Sequence, residues 1–209
     1  MIVKSSAAAR ARLRDRAVRV PALLLATALL SSRVAAADAP GVRHYVLDPA
    51  RSSLEFTFLQ AGAQNKGRFK SLQVSFDFAP DNLAASHLDV VVEINSLDSG
   101  DEERDDTLRS ADLLAASKFP QAHFAAAQIA RSAAGYEAIG KLTLRGVTRD
   151  ARIPFTFRTA TENGAPVGYM SGKTSLRRLD YGVGQGDWRA TDQVPNEVGV
   201  SFALRLSAH

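Results

Sequence analysis

Apolar side chains recur at every second position in several separate runs of this chain. The first run places Leu54, Phe56 and Phe58 on one side of a strand, and residues 72–78 and 88–94 repeat the pattern. Later runs lie at residues 142–144, 153–157 and 198–206. Such alternation is what a β-strand with one buried face requires. The pattern therefore predicts a protein made mainly of strands.

Residues typical of turns separate these runs. Asn163-Gly164 is the strongest signal, because both residues tolerate the positive φ of a tight hairpin turn. Arg145-Gly146 and Pro80-Asp81-Asn82 mark two more turns. About eight strands joined mostly by short turns predict an all-β, antiparallel fold, either a barrel or a sandwich.

The segment from Ser99 to Ala116 breaks the alternation and is rich in helix-forming residues. Carboxylates crowd its first turns, where the helix dipole favours negative charge. Phe119-Pro120 then ends the helix and returns the chain to an extended conformation. We expect a short helix that caps one end of the barrel.

Residues 1–37 have the layout of a secretory signal peptide. An Arg-rich stretch precedes the apolar run Val20–Leu30, and small residues follow at Ala35-Ala36-Ala37. We therefore expect cleavage near Ala37 and export to a bacterial periplasm. The alternative is an uncleaved amphipathic helix or anchor, although the apolar run is shorter than the roughly twenty residues that span a bilayer. Residues 38–209 are then one domain.

Charge and cysteine content exclude several classes of protein. Of 26 basic and 22 acidic residues, seven basic and one acidic lie in residues 1–37, which leaves 19 basic and 21 acidic residues in 38–209. The domain is thus slightly acidic, and we predict no nucleic-acid partner. The chain contains no cysteine, which excludes disulfides and thiolate metal sites.

No pattern in the sequence predicts catalysis or a metal centre. The acidic cluster at residues 98–106 lacks the ligand spacing of a calcium loop. The four histidines are scattered singly, without the spacing of a zinc site. No serine lies in a nucleophile elbow, and no lysine follows Gly182, Gly184 and Gly186 as a phosphate loop requires. We predict a protein that is not an enzyme.

Small side chains occupy one predicted strand, in the run Ala122–Ala130. A small eight-stranded barrel either fills with its own side chains or holds a ligand. Alanines on an inward face leave volume, and an apolar void costs packing energy unless something occupies it. This favours a lumen that holds a ligand, with an ordinary packed core as the alternative.

The order of motifs resembles the YceI-like family of exported, lipocalin-like polyisoprenoid-binding proteins. The resemblance covers residues 44–208 and rests on several motifs in the family's order and spacing. They are Tyr45–Ser52 followed by Leu54 and Phe56, Arg104–Ser110, Phe119–Phe124, Gly140–Thr148, and Leu179–Gly184 with Trp188.

The resemblance implies an extended, eight-stranded antiparallel barrel whose lumen holds a long isoprenoid chain, such as that of a polyprenyl phosphate or an isoprenoid quinone. It carries over no catalytic residue and no cofactor besides the bound lipid. It implies that the inward apolar residues line the lumen: Phe56, Phe58, Phe76, Phe78, Val90, Val92, Ile94, Phe124, Leu142, Leu144, Phe155, Phe157, Phe202 and Leu204, with Trp188 nearby. Arg68, Arg109 and Arg178 are the candidates for contacts with a polar head group at the mouth.

The sequence thus predicts a periplasmic carrier of an isoprenoid lipid that makes transient contact with a membrane. One alternative is a non-enzymatic interaction or stress-response protein that partners a membrane b-type cytochrome, and another is an enzyme acting on a lipid. A homodimer is left open, with Val91 and Ile129 as outward-facing candidates for its contact surface.

Overall fold

The structure is a computed structural model that describes residues 41–133 and 135–209. The predicted signal peptide, residues 1–37, lies outside the described residues. The strands are β1 Arg43–Leu47, β2 Ser53–Gln60, β3 Ala63–Phe69, β4 Leu72–Phe78, β5 His87–Glu93, β6 Leu97–Asp98, β7 Gln121–Ser132, β8 Gly135–Leu144, β9 Val147–Glu162, β10 Ala165–Arg177 and β11 Glu197–Ala208, and the helix is α1 Glu102–Arg109.

The eleven strands combine into a closed barrel of eight long strands. β1 and β2 are one strand interrupted by the short turn at Pro49–Arg51, and β3–β4 and β5–β6 are interrupted in the same way. Each long strand pairs antiparallel with its neighbour along the chain, and β11 pairs with both β1 and β2. This last pairing closes the sheet, so the predicted eight-stranded antiparallel barrel is confirmed.

The predicted helix is confirmed but is shorter than the segment that predicted it. The side chain of Asp101 caps α1 by accepting a hydrogen bond from the backbone N–H of Arg104 at 3.1 Å. Asp105 accepts the backbone N–H of Ser99 at 2.8 Å, and Arg109 donates to the carbonyl of Leu97 at 2.6 Å. These contacts fix both ends of α1 to the strand β6 and the turn that follows it.

A bulge in β7 changes which of its residues face the interior. The pairing of β7 with β8 shifts register between Ala126 and Gln128, so one extra residue is inserted at this point. The insertion reverses the alternation, and Ile129 is buried with only 4% of its surface exposed. The prediction that Ile129 faces outward was therefore wrong. Gly140 lies opposite the bulge, where a Cβ would come within 2.1 Å of the Ala125 carbonyl oxygen.

Aromatic side chains fill one end of the barrel. We call this cluster the aromatic plug: Tyr45, Phe76, Phe78, Tyr136, Phe155 and Phe157. Phe76 is completely buried, and Phe157 meets Phe76 and Phe78 edge to face at centroid distances of 5.2 and 4.9 Å. Edge-to-face contacts add to the stabilisation that burial alone provides. This end of the barrel is therefore a packed core.

We expect Phe76→Ala to destabilise the protein by about 3–5 kcal/mol, because the plug cannot collapse around the missing ring. Urea unfolding measures this loss. Leu59→Ala is the matched control, since Leu59 is 43% exposed and its truncation should change stability little. A small loss for Phe76→Ala would mean that the plug is loosely packed.

Candidate functional site

A cavity of about 550 Å³ occupies the other part of the barrel interior. Its deepest wall includes Leu88 and Met170, which pair across the strands with Phe76 and Phe157 of the aromatic plug. Its opposite wall includes residues of α1. The cavity therefore lies between the plug and the helix, and its volume falls within the roughly 300–1,000 Å³ typical of ligand pockets.

Strand alternation supplies the apolar wall of the cavity. Val90 lies opposite Phe124 and Val92 opposite Ala122 in the β5–β7 pairing, and all four side chains line the cavity. Twelve residues predicted to contact a ligand are found in its lining: Phe56, Phe58, Val90, Val92, Ile94, Phe124, Leu142, Leu144, Phe202, Leu204, Arg178 and Trp188.

Four predicted lining residues lie elsewhere. Phe76, Phe78, Phe155 and Phe157 face inward, as expected, but they belong to the aromatic plug and do not line the cavity. Alternation identifies the inward face of a strand but not the position along the barrel axis at which the interior is filled. The four side chains therefore point inward as predicted but lie in the packed part of the interior and not beside the cavity.

The inward alanines of the run Ala122–Ala130 also lie in two environments, the cavity and the packed core. Both alanines are buried, but Ala122 lines the cavity and Ala126 does not. Ala125 and Ala127 are exposed on the outer face. Small side chains therefore leave volume at Ala122, while at Ala126 the space is taken by the packed core.

Polar side chains line the cavity at α1 and its N-cap, and also at Glu55, Gln60, Thr174 and Arg178 on other elements. Asp101, Glu103, Arg104 and Thr107 all contribute to its lining. The guanidinium of Arg104 lies 3.2 Å from the carboxylate of Asp101, and its side chain is 31% exposed. Helical spacing places Arg104, Thr107 and Leu108 on one face. This face was not predicted, because the sequence pattern of the helix indicated only a cap at one end of the barrel.

Two arginines predicted to meet a head group have other partners. Arg68 is exposed on the outer face of β3 and forms an ion pair with Asp98 at 3.0 Å, which Lys70 also contacts at 3.0 Å. Arg109 donates to the Leu97 carbonyl and is absent from the cavity lining. Neither Arg68 nor Arg109 lines the cavity, so the structure does not place them beside a ligand in it.

Arg178 lines the cavity, but most of its donors are already used. Arg178 is only 4% exposed, and its guanidinium donates to four backbone carbonyls, those of Val183, Ala190, Val194 and Pro195. Burial lowers the pKa of Arg178. One side chain thus holds together the loop between β10 and β11.

This loop forms part of the cavity wall through Val183, Trp188 and Val194. Gly184 approaches the guanidinium of Arg178 so closely that a Cβ would lie 1.9 Å from its Nη1 atom, and its φ of +104° also favours glycine. The glycine-rich segment is therefore needed for close packing around Arg178.

The described residues contain no group of three or more His, Asp or Glu side chains placed to hold a metal ion. Within the same residues, no helix is long and apolar enough to cross a membrane.

Comparison with known proteins adds a family relationship. A family model described as a YceI-like domain matches residues 45–206. A UPF0312 protein of Vibrio vulnificus is 34% identical over 161 residues, which are 74% of this chain and 85% of that protein. A UPF0312 protein of Yersinia enterocolitica is 39% identical over 106 residues, and the match spans 51% of this chain and 55% of that relative.

Two solved structures share the fold. The crystal structure of Burkholderia cenocepacia BcnA has a TM-score of 0.69 at 30% identity, with coverage of 76% of this chain and 98% of that one. A polyisoprenoid binding domain from Saccharophagus degradans has a TM-score of 0.55 at 18% identity and covers 79% of this chain and 98% of that one.

We expect Arg178→Met to release the loop between β10 and β11, because four carbonyls lose their donor. The cost should be about 3 kcal/mol, since buried polar groups left without partners are expensive. Limited proteolysis within residues 185–194 and urea unfolding measure the two effects. Arg177→Met is the control, because Arg177 is exposed and pairs only loosely with Asp180 at 3.7 Å. Equal proteolysis of both variants would contradict the role given to Arg178.

The ionisation of Asp98 predicts that the stability of the folded protein depends on pH. A hydrogen bond from Lys70, with others from the Gly100 backbone and Arg68, lowers the pKa of Asp98 to about 2. A depressed carboxyl pKa stabilises the folded state above the unfolded value near 4 and ceases to do so as pH falls through 2. Asp98→Asn should therefore be less stable than the parent at neutral pH, with the difference closing between about pH 4 and 2.

Urea midpoints measured across this range test the pH prediction, with Asp81→Asn in an exposed turn as the control. A stability difference that stays constant down to pH 2 would contradict it.

Proposed function

Because the chain belongs to the YceI-like family, we propose that it binds a long-chain isoprenoid lipid in the cavity between the aromatic plug and α1. The observation that carries the proposal is an apolar cavity of about 550 Å³ whose lining includes the polar side chains of Arg104 and Thr107 on α1. This arrangement suits an amphiphile with one long apolar part and one polar end. The structural neighbour described as a polyisoprenoid binding domain supports the same ligand class.

The apolar wall accounts for retention of the lipid chain in water. Each methylene transferred from water to an apolar environment gains about 0.8 kcal/mol. A bilayer offers the chain an equally apolar environment, so transfer between bilayer and cavity changes the free energy little. A protein of this kind holds its ligand in the aqueous space and releases it at a membrane. We therefore propose a carrier that makes transient contact with membranes.

The polar face of α1 is the proposed position of the head group. Arg104 and Thr107 provide donors at this wall, and Arg104 takes the place proposed from the sequence for Arg68 and Arg109. A phosphate or a quinone oxygen accepts hydrogen bonds from such donors, so either a polyprenyl phosphate or an isoprenoid quinone fits the proposal. The protein acts by binding and release and leaves the lipid chemically unchanged.

The proposed place of action is the periplasm. This part of the proposal rests on the signal-like sequence of residues 1–37. A carrier of an insoluble chain is useful in an aqueous compartment next to a membrane.

We expect Ala122→Phe to reduce the amount of bound lipid strongly, because the new ring projects into the cavity. Native mass spectrometry of protein purified under mild conditions from its own host reports the mass and stoichiometry of the ligand. Ala125→Phe is the matched control, since Ala125 lies on the same strand and faces outward. The control should retain the lipid content of the parent.

Thermal unfolding of both variants accompanies this experiment, to separate loss of cavity space from loss of folding. A parent protein that carries no lipid after mild purification would overturn the proposal. Equal lipid content in the two folded variants would place the ligand outside the cavity.

A further inference from the structure

The hydrogen-bonded ladder between β9 and β10 covers only part of these two long strands. It runs from Ala165, opposite Glu162, to Ser171, opposite Thr156. Residues 147–155 of β9 pair with β8 on their other edge, and residues 172–177 of β10 pair with β11 on theirs, but the β9–β10 ladder does not extend to either stretch. Two strand edges therefore face each other without ladder pairing, and we call the region between residues 147–153 and 172–177 the seam.

Pro154 lies where the ladder stops. A Cβ on Gly172 would lie 2.3 Å from the Pro154 carbonyl oxygen, so the backbone polar groups of Pro154 face β10. The N–H and C=O of one strand residue point to the same neighbour, and proline has no N–H. The ladder thus lacks a donor at Pro154. Because proline cannot donate to a ladder, it is generally confined to bulges and strand edges.

The margins of the seam belong to the cavity. Ile153 on β9 and Thr174 and Leu176 on β10 all line it, and each of these side chains is only half-buried. The seam is bounded at one end by the contact between Pro154 and Gly172. At the other end Arg149 donates a hydrogen bond to the Asp180 carbonyl at 3.2 Å.

We propose that the seam is a lateral portal through which the apolar chain of the ligand enters and leaves the cavity. This inference rests on the function proposed above and adds the route by which the lipid chain enters and leaves the cavity. Separating the two strands within the seam breaks no ladder pairing, whereas β8–β9 and β10–β11 on either side are continuously paired. At the α1 end, by contrast, an apolar chain would pass the charged side chains of Asp101, Glu103 and Arg104.

A cross-link across the seam tests the portal. The chain has no native cysteine, so only the two introduced thiols react with the cross-linker. Continuing the β9–β10 register places Arg152 opposite Ser175, and both side chains are exposed. We would join Arg152→Cys and Ser175→Cys with a short bis-maleimide and measure transfer of a dansyl-labelled farnesyl chain from phosphatidylcholine vesicles. The cross-linked protein should take up and release the probe on the order of tenfold more slowly than the same protein before cross-linking, with unchanged affinity, as gating of exchange requires.

The control places the same cross-link between β9 and β10 at a position where the two strands are paired. Thr156→Cys with Ser171→Cys joins two residues that are already paired, and this link should leave exchange unchanged. Pro154→Thr gives a second test without a cross-link. It restores the missing donor and should slow exchange about fivefold, the effect of about one added hydrogen bond.

The outcomes separate the portal from the proposed function. Unchanged exchange in both the cross-linked seam and Pro154→Thr would overturn the portal, as would equal slowing by the control link. Failure of the parent protein to take up the probe, together with absence of native lipid, would overturn the proposed function itself.

Discussion

Closure of the sheet is the constraint on which the rest of the structure depends. β11 pairs with β1 near one end and with β2 further along, and this double pairing turns a meander of strands into a barrel with a fixed interior. A fixed interior must be filled by side chains or by a guest, because an empty apolar void loses packing energy. Here the aromatic plug fills one part, and the remainder is the cavity.

The two parts of the interior differ in what they require of the surrounding chain. The plug depends on ring packing around Phe76, and the cavity depends on elements that hold its wall without filling it. Arg178 binds the carbonyls of the loop between β10 and β11, and Asp105 and Arg109 fix α1. Arginine and carboxylate side chains thus position the covering elements, so that apolar side chains such as Trp188 border an open space.

Much of the fold could be predicted from the sequence, because alternation depends on local geometry alone. It indicated the inward direction of residues such as Phe155 and six of the strands, which are β2, β4, β5, β8, β9 and β11. It could not locate the boundary between plug and cavity, which depends on pairing between distant strands. The β7 bulge reversed the expected direction of Ile129, and Arg68 pairs with Asp98 on β6, which is 30 residues away along the chain. Pro154 was visible in the sequence, but its meaning required knowing that its backbone faces β10.

The most direct test of the account is a crystal structure of the protein purified with gentle methods from its own host. The account predicts continuous density for a single long chain between Leu88 and α1, with a polar end beside Arg104. A cavity filled by water or by rearranged side chains, with no chain in that space, would contradict it.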